Sequence, residues 1–298
     1  MVRRVGMQFN DLLLSRLNDV DGERARGWHF WMKGLGGFGS VDGDGNAGRA
    51  DNHNGGIALG ADTGFGEHAT LGAAVSYVRS NVDAVTANLG MDSYLLSTYA
   101  KWQRDNNYIK GTVAGGFHQT GSRRTVFEDS AAADYDSTTA GTSLEAGRNV
   151  ALLDTATFTP YAGLQYLHLN RDGFTETGSN LANLKVREAD EDSFRTLLGA
   201  RLSQVVKAGW GVSIQPVLHA AWVRENADSF SRLSADFAAA PATAYSVNGP
   251  KLERNRAVVG ADLVTRFSET AQLNVAYNAE LAKSDNWHTL SATFEYRW

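Results

Sequence analysis

The 298-residue chain contains no cysteine and only 4 prolines. The absence of cysteine excludes a disulfide scaffold, and no part of the chain depends on the redox state of its compartment. A hydrophobic fraction of 43% together with so few prolines also excludes a disordered or a collagen-like chain. The length is sufficient for one large domain or two ordinary ones.

Long apolar runs and a basic surface are missing too. No stretch of about 18 apolar residues occurs, which excludes a membrane-spanning helix. It does not exclude a β-barrel, because apolar and polar residues alternate along each barrel strand and form no long apolar run. The net charge is -5 and is spread along the chain, so nucleic acid is not an expected partner. The start, Met1-Val2-Arg3-Arg4, lacks the apolar stretch of a secretory signal. We therefore expect either a cytosolic protein or the C-terminal piece of a longer exported one.

Residues 1–26 have a helical pattern that the rest of the chain lacks. Apolar residues recur there at roughly helical spacing among polar ones; they are Phe9, Leu12, Leu13, Leu14, Leu17 and Val20. The pattern predicts one amphipathic helix, up to about 39 Å long at ~1.5 Å per residue. Such a helix could thread an outer-membrane barrel from end to end, because the apolar band of these barrels is about 25 Å tall.

From residue 27 to residue 298 the hydrophobic period is two, which predicts an all-β domain. In the clearest segment, Leu290, Ala292, Phe294, Tyr296 and Trp298 alternate with polar residues. The same rule predicts twelve strands, at 28–39, 55–63, 69–79, 91–102, 108–118, 139–149, 157–169, 192–204, 210–224, 254–266, 271–281 and 287–298. Compact connections alternate with longer polar ones, the latter near 40–54, 80–90, 119–138, 170–191 and 225–253. This alternation is typical of a transmembrane barrel with tight periplasmic turns and extended extracellular loops.

The polarity of the two strand faces distinguishes a membrane barrel from a soluble one. A soluble ligand-binding barrel keeps its apolar face inside. Here the face opposite the apolar one carries charges, namely Glu145, Arg195, Arg201, Glu280, Glu295 and Arg297. Charges cannot line a dry core without pairing, so we expect this face to surround water or a polar plug. Aromatic residues at predicted strand ends would form the interfacial girdles; they are Trp28, Trp102, Trp210, Trp222, Trp287, Tyr296 and Trp298.

Several motifs occur together in a characteristic order. The helix runs into a segment that reads Trp28-His29-Phe30-Trp31-Met32-Lys33-Gly34 and then Gly36-Gly37-Phe38-Gly39. Further motifs are Tyr99-Ala100-Lys101-Trp102, Ser143-Leu144-Glu145-Ala146-Gly147, Pro160 with Gln165, Arg195 with Leu198-Gly199-Ala200-Arg201-Leu202, and the ending Phe294-Glu295-Tyr296-Arg297-Trp298. In this order they resemble the C-terminal translocator domain of autotransporters, the type V secretion proteins of Gram-negative outer membranes. The resemblance covers essentially the whole chain.

The resemblance implies a fold and a function. The fold is an antiparallel transmembrane barrel of twelve strands, residues 27–298, with an N-terminal helix, residues 1–26, in its lumen. The function is secretion and anchoring of an upstream passenger domain at the outer membrane, without a cofactor. The implied partners are outer-membrane lipid, the passenger, the barrel assembly machinery and periplasmic chaperones. The ending with Phe294, Tyr296 and Trp298 resembles the signal that this machinery reads. We expect a monomer, because a closed barrel leaves no edge to pair.

Two sets of candidate site residues follow. Glu145, Arg195, Arg201 and Glu280 are predicted to line the lumen and to contact the helix, with Arg16, Asp19, Glu23 and Arg24 as partners. In part of the family the helix is cut after an asparagine of an Asn-Asn pair, by attack of its side chain on its own carbonyl. The similar stretch here is Phe9-Asn10-Asp11-Leu12, with a single asparagine. Cleavage between Asn10 and Asp11 is one hypothesis, and the other is that Asn10 faces water on the polar side of the helix.

Other motifs fit their chemistry poorly. Asp42, Asp44 and Asn46 have the spacing of the first ligands of a calcium loop, but Ala47 and His53 stand where glycine and glutamate belong. Asp42 and Asp44 with Asp51 and His53 also resemble the acidic pairs of barrel proteases, although both pairs lie in one loop. We predict no metal site and no catalytic residues. Two alternative functions stay open, a porin with a plug helix and an outer-membrane hydrolase.

Overall fold

A computed structural model describes residues 1–18, 27–45, 47–126, 129–179, 181–209, 211–227 and 232–298. It contains one helix, α1 (Val2–Arg16), followed by strands throughout. In chain order the strands are β1 (Trp28–Val41), β2 (Ala50–Phe65), β3 (Ala69–Ala84), β4 (Ala87–Arg104), β5 (Asn107–Val126), β6 (Asp129–Arg148), β7 (Val150–Leu153), β8 (Ala156–Arg171), β9 (Phe174–Thr175), β10 (Leu184–Val186), β11 (Ala189–Gln204), β12 (Val206–Gly209), β13 (Val212–Glu225), β14 (Arg232–Phe237), β15 (Ala240–Asn248), β16 (Asn255–Arg266), β17 (Ala271–Leu281) and β18 (Asp285–Arg297).

Twelve long strands of the described residues form a closed antiparallel barrel, as predicted. Its members, in order around the ring, are β1, β2, β3, β4, β5, β6, β8, β11, β13, β16, β17 and β18. The ring closes where β1 pairs with β18, from His29 opposite Arg297 to Val41 opposite Asp285. We call this pair the closing seam. Closure satisfies the backbone hydrogen bonds of every barrel strand, which a strand needs within lipid.

The outer face of the barrel carries exposed apolar side chains on every barrel strand. In β18 the outward residues include Leu290, Phe294 and Tyr296, each about half exposed, whereas the residues between them are buried. Of the predicted girdle residues, Trp28, Trp102, Trp222, Tyr296 and Trp298 are exposed, and Trp210 lies outside the described residues. The outward alternation therefore supplies the lipid-facing surface that the sequence pattern predicts.

Trp287 is an exception, and its prediction as a girdle residue is wrong. Its side chain is only 4% exposed and lines the lumen. The reason is that β18 begins at Asp285 with an inward residue, so position 287 is inward too. A Cβ at Gly37 would lie 2.4 Å from the Trp287 ring. The glycines at 37 and 39 thus make room for this tryptophan.

The barrel has two distinct ends. At one, which we call the turn end, β2 and β3 are joined by residues 66–68 and β4 and β5 by residues 105–106. β7 and β12 lie at this end and pair with β8 and β13. At the other, the loop end, residues 42–49, 172–188 and 226–254 connect barrel strands. The short-and-long alternation predicted from the sequence holds at these places.

The connections predicted at 80–90 and 119–138 are shorter than expected. β3 and β4 are separated only by residues 85 and 86, and β5 and β6 only by residues 127 and 128. These strands continue well beyond the apolar band. A strand that leaves the membrane is polar on both faces, so an alternation of apolar and polar residues cannot reveal it.

A second antiparallel sheet at the loop end was not predicted. Its order is β15-β14-β10-β9, and Leu184, Val186 and Ala235 form its small core. The Arg124 guanidinium on β5 donates to both carboxylate oxygens of Glu176, at 3.1 and 2.6 Å. Arg124 shares the inward alternation of β5, so this sheet lies against the lumen side of the β5–β6 extension.

Within the described residues, no helix combines the length and the apolar character needed to cross a membrane. The helix α1 has 15 residues, about 22 Å at ~1.5 Å per residue. It lies in the barrel lumen. Residues 19–26 of the predicted helix lie outside the described residues.

The lumen helix as candidate functional site

One side of α1 packs tightly on the barrel wall. Leu13 and Leu17 are completely buried there. The wall residues of this apolar cluster come from β1 to β5; they are Trp31, Leu35, Ala58, Ala74, Val78, Met91, Leu95, Tyr99 and Ala114. Removal of this much apolar surface from water is the main attraction between helix and wall. A lumen lined partly by apolar residues was not predicted, because the sequence pattern singled out only the charges on this face.

The opposite side of α1 faces a cavity of about 200 Å³ that both polar and apolar residues line. The polar residues of this segment that line it recur at spacings of three and four; they are Arg4, Gln8, Asp11 and Ser15 of α1 and Asn18 just after it. Across the cavity lie strands from β8 to β18, with residues such as Gln165, Arg195, His219, Asp262 and Glu280. The helix is therefore off-centre: it packs on the wall from β1 to β6 and against β8, and the cavity separates it from part of the remaining wall.

At the turn end, Arg16 enters a buried network of hydrogen bonds. Its guanidinium donates twice to Asp62 on β2, at 2.9 and 3.1 Å, and once to Glu295 on β18. Glu295 also accepts from Gln272 at 2.6 Å and pairs with His29 at 2.8 Å. Each charge in this network has a hydrogen-bonded partner of opposite sign, which is what a buried charge requires.

A second contact near the turn end is made by Lys110, which connects the last turn of α1 to the barrel wall. The completely buried ammonium donates to the Leu14 carbonyl oxygen at 2.8 Å and to the Asn18 side chain. It lies 3.1 Å from Glu145, whose carboxylate also accepts two hydrogen bonds from Arg201. A cation at the C-terminus of a helix is favourable because carbonyl groups are left unpaired there. Glu145 therefore reaches the helix through Lys110.

Halfway along the helix, Asn10 and Asp11 differ in environment. Asn10 is completely buried and its Oδ1 accepts from the Thr112 hydroxyl at 2.8 Å. Within the described residues its Nδ2 has no hydrogen-bond partner. Asp11 accepts a hydrogen bond from Gln165 and lines the cavity. The expectation that Asn10 faces barrel water is wrong, because the neighbouring position faces the cavity instead.

At the loop end, the first turn of α1 is basic and the wall around it is acidic. Arg4 lies 3.6 Å from Asp285 and stacks over Trp287 at 4.7 Å. Arg256 pairs with Asp285 at 2.9 Å and with Glu280 at 3.3 Å. Cations are unfavourable at a helix N-terminus, so the acidic wall offsets this local cost. α1 therefore runs from the loop end at Arg4 to the turn end at Arg16.

The structure groups the predicted lumen residues differently from the prediction. Glu145 and Arg201 pair with each other, whereas Arg195 pairs with Glu225 at 3.2 Å and Glu280 with Arg256. Among the predicted helix partners, Arg16 is placed, and Asp19, Glu23 and Arg24 lie outside the described residues. The residues that hold the helix and that the sequence did not single out are Asp62, Lys110, Thr112 and Asp285. The alternation of the strands could have identified these residues as inward-facing. Which of the inward-facing residues contact the helix depends on the strand register, which the alternation does not give.

The segment that resembled a calcium or protease site is a set of local ion pairs. The expectation that both pairs lie in one loop is wrong, because Asp51 and His53 belong to β2. Arg49 lies 2.9 Å from Asp51 and 3.5 Å from Asp42, both exposed. Asp44 accepts from the backbone amides of Ala47 and Lys251, and Asn46 lies outside the described residues. In the part of the chain that the structure describes, no group of three or more His, Asp or Glu side chains could hold a metal ion.

Comparison with known proteins agrees with this geometry. The family model described as "Autotransporter beta-domain" matches residues 30–278. The chain belongs to the autotransporter beta-domain family. Among solved structures, the translocator domain of the autotransporter NalP from Neisseria meningitidis superposes with a TM-score of 0.82 at 20% identity, covering 99% of this chain and 96% of that one. The beta domain of the Bordetella autotransporter BrkA gives 0.71 at 16% identity, covering 91% and 100%.

A relative named outer membrane protein B, from Rickettsia japonica, is 23% identical over 249 residues. The match covers 78% of this chain, and the chain spans only 15% of that relative's length. As a member of the autotransporter beta-domain family, the chain is an outer-membrane translocator domain of a Gram-negative bacterium. The family does not favour the porin or the hydrolase alternative. The loop end of the barrel is then extracellular and the turn end periplasmic.

Proposed function

We propose that this barrel exports a passenger segment that precedes α1 and then anchors it at the cell surface. The orientation of α1 carries the proposal. Arg4 lies at the extracellular end beside Asp285, and Arg16 lies at the periplasmic end beside Glu295. A chain that continues upstream of Met1 would leave the lumen on the outside, while α1 remains as the plug that holds it.

Assembly of the barrel depends, in this proposal, on the barrel assembly machinery and on periplasmic chaperones. The C-terminal end supports it, because Phe294 and Tyr296 face outward on β18 and Trp298, the residue that follows the strand, is exposed. A strand with one aromatic apolar face can be recognised by edge-to-edge pairing before the barrel closes. Its inward face carries Glu295 and is buried in the finished barrel.

A reporter fused ahead of Met1, behind a secretory signal, tests the export proposal in a Gram-negative host. We expect protease added to intact cells to digest the reporter and leave the barrel in the outer membrane. The Trp298→Ala variant keeps every lumen contact described above and should lose most of the barrel from the outer membrane fraction. An assembled wild-type barrel with a protected, periplasmic reporter would contradict export, and unchanged assembly of Trp298→Ala would contradict the assembly signal.

Cleavage between Asn10 and Asp11 is the finer part of the proposal; it would follow export and release the anchored passenger together with residues 1–10. Asn10 Nδ2 is buried without a hydrogen-bond partner among the described residues, so it is available as an intramolecular nucleophile. Attack on the Asn10 carbonyl carbon would form a cyclic imide, break the bond to Asp11 and pass a proton to the Asp11 nitrogen. Water would later open the imide. Asp11, at the cavity, would become the new N-terminus of the barrel.

Mass spectrometry of the purified barrel tests this cleavage. We expect a species that begins at Asp11 in the wild type and its loss in Asn10→Ala, because alanine has no nucleophile. Asn18→Ala is the matched control and should be cut normally. A wild-type barrel that keeps residues 1–10 after export of the reporter would refute cleavage without affecting the export proposal.

A further inference from the structure

The closing seam differs from the other strand pairs of the barrel. In every other neighbouring pair, the two strands are consecutive barrel strands in the sequence. In the closing seam, the first barrel strand, β1, pairs with the last, β18. No connecting turn holds these two strands together. Their pairing depends on backbone hydrogen bonds and on the side chains beside them.

Side chains from four strands form one cluster at the periplasmic end of this seam, and two of them, Asp62 and Glu295, contact α1. Glu295 stands on β18, His29 on β1, Asp62 on β2 and Gln272 on β17. Arg16 is the helix residue at their centre, since its guanidinium donates to Asp62 and to Glu295. Because β2 and β18 flank β1 on its two sides, one helix residue bridges across the first strand.

The charges of this cluster depend on Arg16. Asp62 is completely buried and Glu295 is 4% exposed. Without Arg16, two buried carboxylates would stand on either side of β1 with His29 as the remaining basic group that the structure places beside Glu295. Buried charges that lose their partner are strongly destabilising. The cost falls on the two strands that must stay paired with β1.

We propose that Asp62, Glu295 and His29 form a guanidinium-binding site across the closing seam, and that entry of Arg16 into this site locks the barrel shut. The seam is labile while the site is empty and stable once α1 is seated. This extends the proposed export function, because Arg16 would reach the site only when the end of the passenger arrives in the lumen. The outward aromatic face of β18 is separate from the site, so assembly and locking can be tested independently.

Amide hydrogen exchange of the purified barrel in detergent tests the lock. In Arg16→Ala we expect exchange at residues 28–34 and 291–297 to be about tenfold faster or more, while β4 and β5 stay protected. Lys110→Met is the matched control: it also removes a helix–wall contact, but at β5, and should leave the seam unchanged. Arg16→Lys should be intermediate, because an ammonium cannot donate to both carboxylates in the geometry of the guanidinium fork.

Chemical rescue separates a binding site from a general loss of stability. A low, non-denaturing concentration of guanidinium should restore seam protection in Arg16→Ala, and sodium at the same ionic strength should not. Guanidinium should not restore protection in the double variant Arg16→Ala/Glu295→Gln, whose site is empty but lacks one carboxylate. Equal loosening of the whole barrel in Arg16→Ala and Lys110→Met, or unchanged seam exchange in Arg16→Ala, would overturn the lock. The assay uses the isolated barrel, so this result leaves the export proposal untouched.

Discussion

Deletion of residues 1–18 is expected to raise the single-channel conductance of the barrel several-fold in planar bilayers. In the intact chain the helix stands in the lumen, and the cavity beside it measures about 200 Å³. A helix with its side chains is about 10 Å across, so its removal opens a path of that width. The lumen opened by the deletion carries charged residues such as Arg195, Arg201 and Glu280 beside the apolar wall, and these charges favour ion passage.

The matched controls keep the helix and change only polar residues that face the cavity. Gln8 and Ser15 line the cavity, and the variants Gln8→Ala and Ser15→Ala should leave the conductance near that of the wild type. A porin with a mobile N-terminal segment would conduct equally with and without residues 1–18. Equal conductance would therefore contradict a seated plug helix and reopen the porin alternative.

Glu145→Gln is expected to destabilise the barrel by about 3 to 5 kcal/mol, since removal of one partner leaves a buried ion pair uncompensated. Glu145 is the carboxylate that faces the completely buried Lys110 and accepts two hydrogen bonds from Arg201. The neutral amide would leave both cations without a counter-charge in a water-poor site. Urea unfolding of the barrel in detergent micelles, compared with the wild type, measures the change in the free energy of unfolding.

A double-mutant cycle with Lys110→Met identifies the cause. The double variant should be less destabilised than the sum of the two single variants, because no buried ammonium is left to compensate. Asp192→Asn is the control at the exposed rim, where Asp192 accepts from Tyr166, and should change stability by no more than about 0.5 kcal/mol. Additive effects of Glu145→Gln and Lys110→Met would show that the pair is not coupled.

The barrel itself was predictable from the sequence because lipid imposes one rule on every strand. An outward residue must be apolar, so segments such as Leu290 to Trp298 show the alternation directly. The rule stops at the edge of the membrane, which is why the strand extensions around residues 80–90 and 119–138 and the second sheet were not predicted. Trp287 shows a related limit: aromatic residues are common at girdles, but the alternation of β18 places this one inside.

The helix site was predictable only in part. The charges that line the lumen could be identified by alternation, as Glu145 and Arg201 show. Which of them touch the helix depends on register and on the position of α1, and the helix lies against the apolar wall of β1 to β5. Asp62 and Lys110 come into contact with α1 only because the barrel brings β2 and β5 to that wall. No local pattern in the sequence carries this information.

The orientation of α1 is tested most directly by thiol labelling on intact cells. The chain has no cysteine, so one added cysteine gives one reactive thiol. We place it either in a short linker ahead of Met1 or at Asp154 in the turn between β7 and β8, and apply a membrane-impermeant maleimide. We expect labelling of the upstream thiol on intact cells and of Asp154→Cys only after permeabilisation. The reverse pattern would contradict a helix that leads its upstream chain to the cell surface.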